Sequence, residues 1–441
     1  MDIKITPQKL TGEIAAITSK SAAHRALICA ALSKEKTRIS FRDNSKDISA
    51  TIDCLSAMGA GITGGIDFFD VSGITQKKNA PVIDCKESGS TFRFLLPLSA
   101  ILCNNAKFIG EGRLPERPIA DLLNTLRANG VNFSADKLPF EVSGELKNGE
   151  YILPGNISSQ FVSGLLFALP LLSGDSIIRL TSPLESKAYA DMTVNMLKNF
   201  GIGITQSEDG YIVKGGQKYQ SCPEHVIKQS TAHSTEVEND WSNAAFFLAA
   251  GALSSGGKGV CVTGLDMDSA QGDKKIVKLL KEFGADVEIT DIWSGKDKKT
   301  MIFVSPNELE GLETDVSEIP DLLPILAVIS AFAKGQTTLY NASRLRLKES
   351  DRLSSVCEML RALGADAEEK PDALIITGGG NLKGGIADSK GDHRIAMSAA
   401  VCACFCEGEV IIKGAEAVEK SYPRFFEDFA KLGGNYVVCV R

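Results

Sequence analysis

Apolar residues recur along this chain in short helical runs, each closed by a glycine and followed at once by a strand-like apolar or aromatic position. Six such phrases occur: CLSAMGAGI, TLRANGVNF, MLKNFGIGI, LLKEFGADV, MLRALGADA and FAKLGGNYV. Their shared glycines are Gly59, Gly130, Gly201, Gly284, Gly364 and Gly433, at intervals of 71, 71, 83, 80 and 69 residues. Glycine takes positive φ without the Cβ penalty of other residues, so each phrase predicts a helix, a left-handed stop and a strand. The near-constant spacing predicts six α/β units of roughly 70 residues, a period too long for a solenoid and suited to a small βαβ-type subdomain. Three units to each half is the economical grouping. The widest interval holds a polar stretch, residues 217–239, which puts a boundary between halves near Val237. Gly-rich runs around Gly65 and Gly379 predict hairpin turns, because neither opens a helix as a nucleotide cradle would.

Composition narrows the chemistry. A formal net charge of −7 over 441 residues excludes a broad nucleic-acid surface, so any anion site must be local. The start, MDIKITPQKL, has no apolar signal core, and the apolar run at residues 322–333 contains Pro324 and is too short for a bilayer. A soluble, cytoplasmic protein without a membrane partner is expected, acting as a monomer. The eleven cysteines are an odd number scattered through apolar stretches, which predicts reduced thiols rather than a disulfide framework. Cys402, Cys404 and Cys406 have a metal-like spacing, but on a helix the middle one faces away from its neighbours. They read as buried small hydrophobes. No metal cluster, flavin motif or dinucleotide fingerprint is visible, so neither metal nor cofactor is expected.

Several predicted helix starts share one chemistry. SKSAAHRALICAAL opens with Ser19, Lys20 and Ser21, with Arg25 one turn beyond Ser21. ESGSTFRFLLPL offers Gly89, Ser90, Thr91 and Arg93, and SSQFVSGLLFALPLL offers Ser158, Ser159 and Gln160. Unpaired N–H groups and a partial positive charge at a helix start, joined by hydroxyls and a cation, suit a phosphate or carboxylate. Plain N-capping explains any one instance; the recurrence in successive units favours anion binding. Arg113 and Arg117 lie in a Gly/Pro loop before a helix. LKESDRL gathers Lys348, Glu349, Asp351 and Arg352, with Lys348 and Arg352 four apart and hence on one helical face. A solvated face is the alternative there. His393 and Arg394 start an otherwise small, apolar helix. Asp321 stands just before the apolar run, either as a helix cap or as a general base facing clustered cations.

In their order along the chain, SKSAAHRAL, ESGSTFRFL, ERPI, SSQF, ESKAYADMT, VENDWSNAAFFLAAG, EIPD, RLKESDRL, GDHRIAMS and EKSYPRFF resemble the EPSP synthase family of enolpyruvyl transferases. The resemblance covers nearly the whole chain. It implies an α/β fold of two similar domains, each of three βαβαββ units, in the inside-out α/β barrel of that family, with the chain crossing twice between domains. Residues 18–236 would form one domain, on the shikimate 3-phosphate side. Residues 1–17 plus 237–441 would form the other, on the phosphoenolpyruvate side, with the active site in the cleft between them. It further implies transfer of the enolpyruvyl group of phosphoenolpyruvate to the 5-hydroxyl of shikimate 3-phosphate, and inhibition by glyphosate.

Residue by residue, the resemblance assigns shikimate 3-phosphate to Lys20, Ser21, Arg25, Ser158, Ser159, Gln160, Ser186, Tyr189, Asp321 and Lys348. Phosphoenolpyruvate falls to Lys20, Gly89, Arg117, Gln160, Arg352, Arg394 and Lys420. Glu349 and His393 border the reacting carbons; Asp321, Glu349, Lys348 and Lys20 are the catalytic candidates. Two positions depart from the family pattern: Glu87, Ser88, Gly89 and Ser90 stand where members often have Asn-Ala-Gly-Thr, and Arg344 where some place Asn. Eight cations, Lys20, Arg25, Arg93, Arg117, Lys348, Arg352, Arg394 and Lys420, face two substrates bringing roughly five to six negative charges. UDP-N-acetylglucosamine 1-carboxyvinyltransferase is the nearest rival, but it uses a loop cysteine where this chain has Gly112. An RNA 3′-phosphate cyclase-like or non-catalytic anion-binding protein is the rival of another class, opposed by the acidic balance.

Overall fold

A computed structural model describes residues 1–41, 43–65, 67–221, 233–254, 256, 258–294 and 297–439. Residues 222–232, within the polar stretch marked as a boundary, lie outside the described residues. The chain divides into two compact units. A continuous one comprises Thr18–Val237, and a discontinuous one comprises Met1–Ile17 with Glu238–Arg441.

All six phrase-ending glycines have positive φ, from 76° to 107°. Each follows a helix by one or two residues and precedes a strand, as in Lys46–Ala57, Gly59 and Gly61–Gly64, or Arg352–Ala362, Gly364 and Asp366–Glu369. Each unit holds three four-stranded sheets, all with one topology. Glu150–Leu153 pairs parallel with Ser176–Leu180; Gly210–Val213 and then Ile204–Ser207 follow antiparallel. With helices Ser159–Ala168 and Lys187–Asn199 between the strands, this is a βαβαββ unit.

Three of the six units complete themselves from afar. The parallel partner of Thr37–Ser40 is His233–Glu236, and that of Val260–Thr263 is Gly12–Ala15. Asp2–Thr6 lies between Val410–Lys413 and Asn435–Cys439. In the first two the borrowed pairing is parallel, which needs a crossover rather than a hairpin and leaves the choice of first strand open to a distant segment; Asp2–Thr6 pairs antiparallel on both sides.

Helices form the inside of each unit and sheets the outside. Every residue of Trp241–Leu253 and of His393–Ala403 is buried. The strands alternate buried and accessible positions, as in Asp2–Thr6 and Glu150–Leu153, as expected where one sheet face packs and the other meets water. Helices buried all round carry continuous apolar runs, so a charged residue at their first turn must find partners. That requirement shapes the site.

The run around Gly379 is not a hairpin turn. Ala373–Gly378 and Gly385–Asp388 belong to different sheets, and the run links them. A Cβ on Gly378 would come 2.1 Å from the Ser330 carbonyl oxygen, so glycine there permits backbone to pass against a helix end. Gly65, by contrast, does follow the strand Gly61–Gly64, which pairs antiparallel with Phe68–Ser72. The Cys402–Cys406 cluster is buried; Sγ of Cys404 and Cys406 bond the carbonyls of Ala400 and Cys402 at 3.6 and 3.4 Å.

Candidate active site

In the continuous unit three buried helices begin alike. Lys20–Leu32, Gly89–Leu102 and Ser159–Ala168 are capped by Ser19, Ser88 and Ser158, whose hydroxyls accept from the backbone N–H of Ala22, Thr91 and Gln160, each at 3.3 Å. Capping satisfies part of each helix start, and in the first helix the next residue, Lys20, presents charge. Lys20 Nζ pairs with Asp47 at 2.8 Å, both largely sheltered. Arg25 is buried. Its Nε donates to Thr193 Oγ1 at 2.8 Å, Nη1 to the Ser21 carbonyl at 2.6 Å and Nη2 to the Tyr189 carbonyl at 2.7 Å. Ser21 and Tyr189 therefore reach Arg25 through their backbones. Ser186 precedes helix Lys187–Asn199 in a left-handed conformation, buried and without a side-chain cap bond.

Around Gly89 the reason for glycine is spatial. A Cβ there would lie 2.5 Å from Arg117 Nη1 and 2.9 Å from Arg93 Nη1, so two guanidiniums crowd one helix start. Arg93 donates to Gln160 Oε1 at 2.8 Å and to the Pro118 carbonyl at 3.0 Å, while Gln160 Nε2 donates to Ser90 Oγ at 2.9 Å. Gly89, Arg93, Arg117, Ser90 and Gln160 thus form one neighbourhood. Arg93 has structural partners within it.

In the discontinuous unit the charges interlock. Arg352, 1% exposed, gives Nη1 to Asp321 at 2.6 Å, Nη2 to Glu349 at 2.8 Å and Nε to Asp392 at 2.8 Å. Arg394 Nη2 reaches the other oxygen of Asp321 at 3.0 Å. Burial alone would raise the Asp321 pKa, but Arg394, Lys348 and Arg352 outweigh it and hold the carboxyl well below the usual range. Lys348 moves the other way. Loss of surrounding water, with Arg352 and Arg344 adding to it, brings its ammonium down to about 8 against the pull of Asp321 and Glu349. Asp392 caps helix His393–Ala403 by accepting from the Arg394 backbone at 2.9 Å, and Lys420 Nζ donates to the neighbouring Gly391 carbonyl at 2.7 Å. His393 is buried, its Nδ1 3.9 Å from Asp392. Arg344 donates to the Ser317 carbonyl at 2.9 Å.

Two expectations change here. Lys348 and Arg352 do not share a helical face: Asp351 is the N-cap, helix Arg352–Ala362 starts after it, and Lys348 has extended backbone. A capping aspartate within LKESDRL stops the helix from reaching back to Lys348. Nor does Asp321 cap the apolar helix. That helix, Leu323–Phe332, has Leu322 at its cap position with no side-chain bond, and Asp321 turns to the arginines instead.

Sequence reading missed four partners: Asp47, Thr193, Asp392 and the buried Asp273, whose carboxyl accepts from Ser242 Oγ. Of these, only Asp392 carried a local signal, as the residue before a helix that opens with two charged side chains.

The family model described as EPSP synthase (3-phosphoshikimate 1-carboxyvinyltransferase) matches residues 5–429. This chain belongs to the EPSP synthase family. A relative named 3-phosphoshikimate 1-carboxyvinyltransferase from Clostridium kluyveri is 44% identical, covering 98% of this chain and 97% of its own. Another of the same name, from Clostridioides difficile, is 41% identical over 98% of each. Among solved structures, an EPSP synthase from Acinetobacter baumannii matches at a TM-score of 0.80 and 25% identity, over 99% of this chain and 100% of that one. The enolpyruvyl transferase NikO from Streptomyces tendae shares the fold at a TM-score of 0.76 and 18% identity, covering 99% of this chain and 98% of its own. As an EPSP synthase family member the chain is a transferase of the shikimate pathway, with an enolpyruvyl transferase fold. Gly112 has φ 56°, and a Cβ there would lie 2.7 Å from Glu87 Cδ. No helix among the described residues is long and apolar enough to cross a membrane.

Proposed function

We propose that the chain joins phosphoenolpyruvate to the 5-hydroxyl of shikimate 3-phosphate, giving 5-enolpyruvylshikimate 3-phosphate and phosphate by addition and elimination. The observation that carries this reading is the Asp321 carboxylate held between Arg352 and Arg394 beside Lys348, in a member of this family. Shikimate 3-phosphate is assigned to Lys20, Ser21, Arg25, Ser158, Ser159, Gln160, Ser186, Tyr189, Asp321 and Lys348. Phosphoenolpyruvate is assigned to Lys20, Gly89, Arg117, Gln160, Arg352, Arg394 and Lys420.

The chemistry follows from charge. The hydroxyl oxygen attacks C2 of phosphoenolpyruvate while C3 gains a proton, and the tetrahedral adduct then loses phosphate. Asp321 takes the hydroxyl proton, Lys348 orients it, Glu349 carries the proton at the methyl carbon, and Lys20 and Lys420 offset charge on the leaving phosphate. Without substrate, Arg394, Lys348 and Arg352 hold the Asp321 carboxyl well below the usual carboxylate range. Two polyanions arriving on Arg394, Arg352 and Lys348 offset that field and raise its basicity toward the working pH.

A monomer is the proposed working unit. The ten described cysteines are free thiols, which supports the cytoplasm. One assay tests the function: phosphate release from phosphoenolpyruvate with shikimate 3-phosphate, with UDP-N-acetylglucosamine, or with neither. Release with shikimate 3-phosphate alone is the expected outcome, and release only with the nucleotide sugar would overturn it.

A further inference from the structure

Asp273 has no role in the mechanism above, yet it is built into the same cluster. It sits in the 3-10 turn Gly272–Lys275 and is 2% exposed. Its Oδ2 accepts from Ser242 Oγ, and its Oδ1 accepts no hydrogen bond among the described residues. Ser242 lies in the first turn of helix Trp241–Leu253, with its carbonyl oxygen 3.5 Å from Arg394 Nη1. Arg394 Nη2 in turn holds Asp321 at 3.0 Å. One buried guanidinium therefore stands between two carboxyls, bound to Asp321 directly and linked to Asp273 through a single serine. Away from water, a cation shared by two carboxylates cannot fully offset both.

We propose that Asp273 is a positioning residue for phosphoenolpyruvate, setting by the gain or loss of its proton how much of the positive charge on Arg394 remains for the incoming anion. The proposal rests on Arg394 as a phosphoenolpyruvate ligand. The groups that face Asp273 are Ser242 and Asp240 at the start of the packed helix, Arg394, and Asp321 beyond it. Burial first and Asp321 second push its pKa up to about 7, with Asp240 adding a little; Arg394 and the Ser242 hydroxyl pull the other way. As the pH rises past that point Asp273 becomes a carboxylate, adding negative charge beside the anion site. Phosphoenolpyruvate binding weakens over the same interval.

The experiment is KM for phosphoenolpyruvate at saturating shikimate 3-phosphate, from pH 6 to 8.5, on the full-length wild type, Asp273→Asn and Arg394→Lys. The substrate's own phosphate titrates equally in all three, so the ratio of variant to wild type is the readout. Asp273→Asn should match wild type near pH 6 and have a KM about threefold to tenfold lower at pH 8, the change falling on KM rather than kcat. A ratio that stays constant with pH, or a KM raised throughout, overturns the proposal. Ser242→Ala supplies a second arm if the asparagine variant does not fold. Losing the hydroxyl bond should move the wild-type inflection to higher pH, and an unmoved inflection overturns the proposal equally. Arg394→Lys separates the two readings: if it leaves KM unchanged the substrate placement itself fails, whereas a raised KM with a flat Asp273→Asn ratio sinks only the role of Asp273.

Discussion

The two units share one topology and one habit of starting buried helices with charge, but they satisfy that charge differently. In the continuous unit Arg25 and Arg93 are held by neutral oxygens from Thr193, Ser21, Tyr189, Gln160 and Pro118. In the discontinuous unit Arg352 is held by three carboxylates and Arg394 by Asp321. Neutral partners leave a net positive cradle that suits a phosphate. Interlocked carboxylates leave little net charge but set proton affinities that an arriving anion will change. One repeated scaffold thus sets its buried arginines against neutral oxygens in one unit and against carboxylates in the other.

The largest expected effect tests that difference directly. Arg352→Met should cost about 3–5 kcal/mol of stability, because three carboxylates are left around an apolar side chain. Arg25→Met should cost about 1–3 kcal/mol, since hydrogen bonds to neutral oxygens and a cation–π contact with Phe94 are lost. Urea unfolding of both variants measures the gap, and equal losses would erase the distinction. Next in size is Asp321→Asn, which keeps shape and removes the base. Its kcat should fall about a hundredfold or more, with shikimate 3-phosphate binding little changed. Near-normal turnover in a folded preparation would remove Asp321 from the chemistry.

A smaller effect is expected on the binding side. Gly89→Ala pushes a methyl group into Arg117 and Arg93, both able to yield because the contacts are at side-chain ends. KM for phosphoenolpyruvate should rise about tenfold, the worth of one displaced charge-assisted hydrogen bond. Competition by glyphosate should weaken in parallel, with shikimate 3-phosphate binding nearly unaffected; equal weakening of both would misplace the pocket.

The smallest effect is one of pH. Lys348 has its folded pKa near 8, below the ordinary 10.5 of lysine. Between those values the unfolded chain binds the additional proton, so this residue's destabilising contribution is fully present below pH 8 and fades as the pH rises toward 10.5. The stability difference between wild type and Lys348→Met should shift accordingly, while wild-type kcat declines above pH 8 as the ammonium loses its proton. A flat kcat profile there would exclude the charged form from the reaction.

Local physics made much of this legible from sequence. A left-handed glycine after a helix is decided within a few residues, and so are the serine caps before Lys20, Gly89 and Ser159. The helix starts and their cations were therefore readable in advance. What those cations touch was not. Asp47 lies 27 residues from Lys20, Thr193 lies 168 from Arg25, and Ser242 lies 152 from Arg394. Such pairings depend on how buried helices pack, and no local pattern encodes them. The LKESDRL segment shows the opposite failure, in which a strong local pattern was read as helix although its own aspartate begins the helix later.

The borrowed strands bear on how the chain is made. Asp2–Thr6 is synthesised well before its pairing partner Asn435–Cys439, which lies at the far end of the same sheet's sequence. At the usual 5–20 residues per second, the early strand waits about 20–90 s with both hydrogen-bonding edges open. Gly12–Ala15 waits for Val260–Thr263 in the same way. Through that interval the nascent chain offers unpaired edges to any neighbour. Slower translation lengthens that exposure.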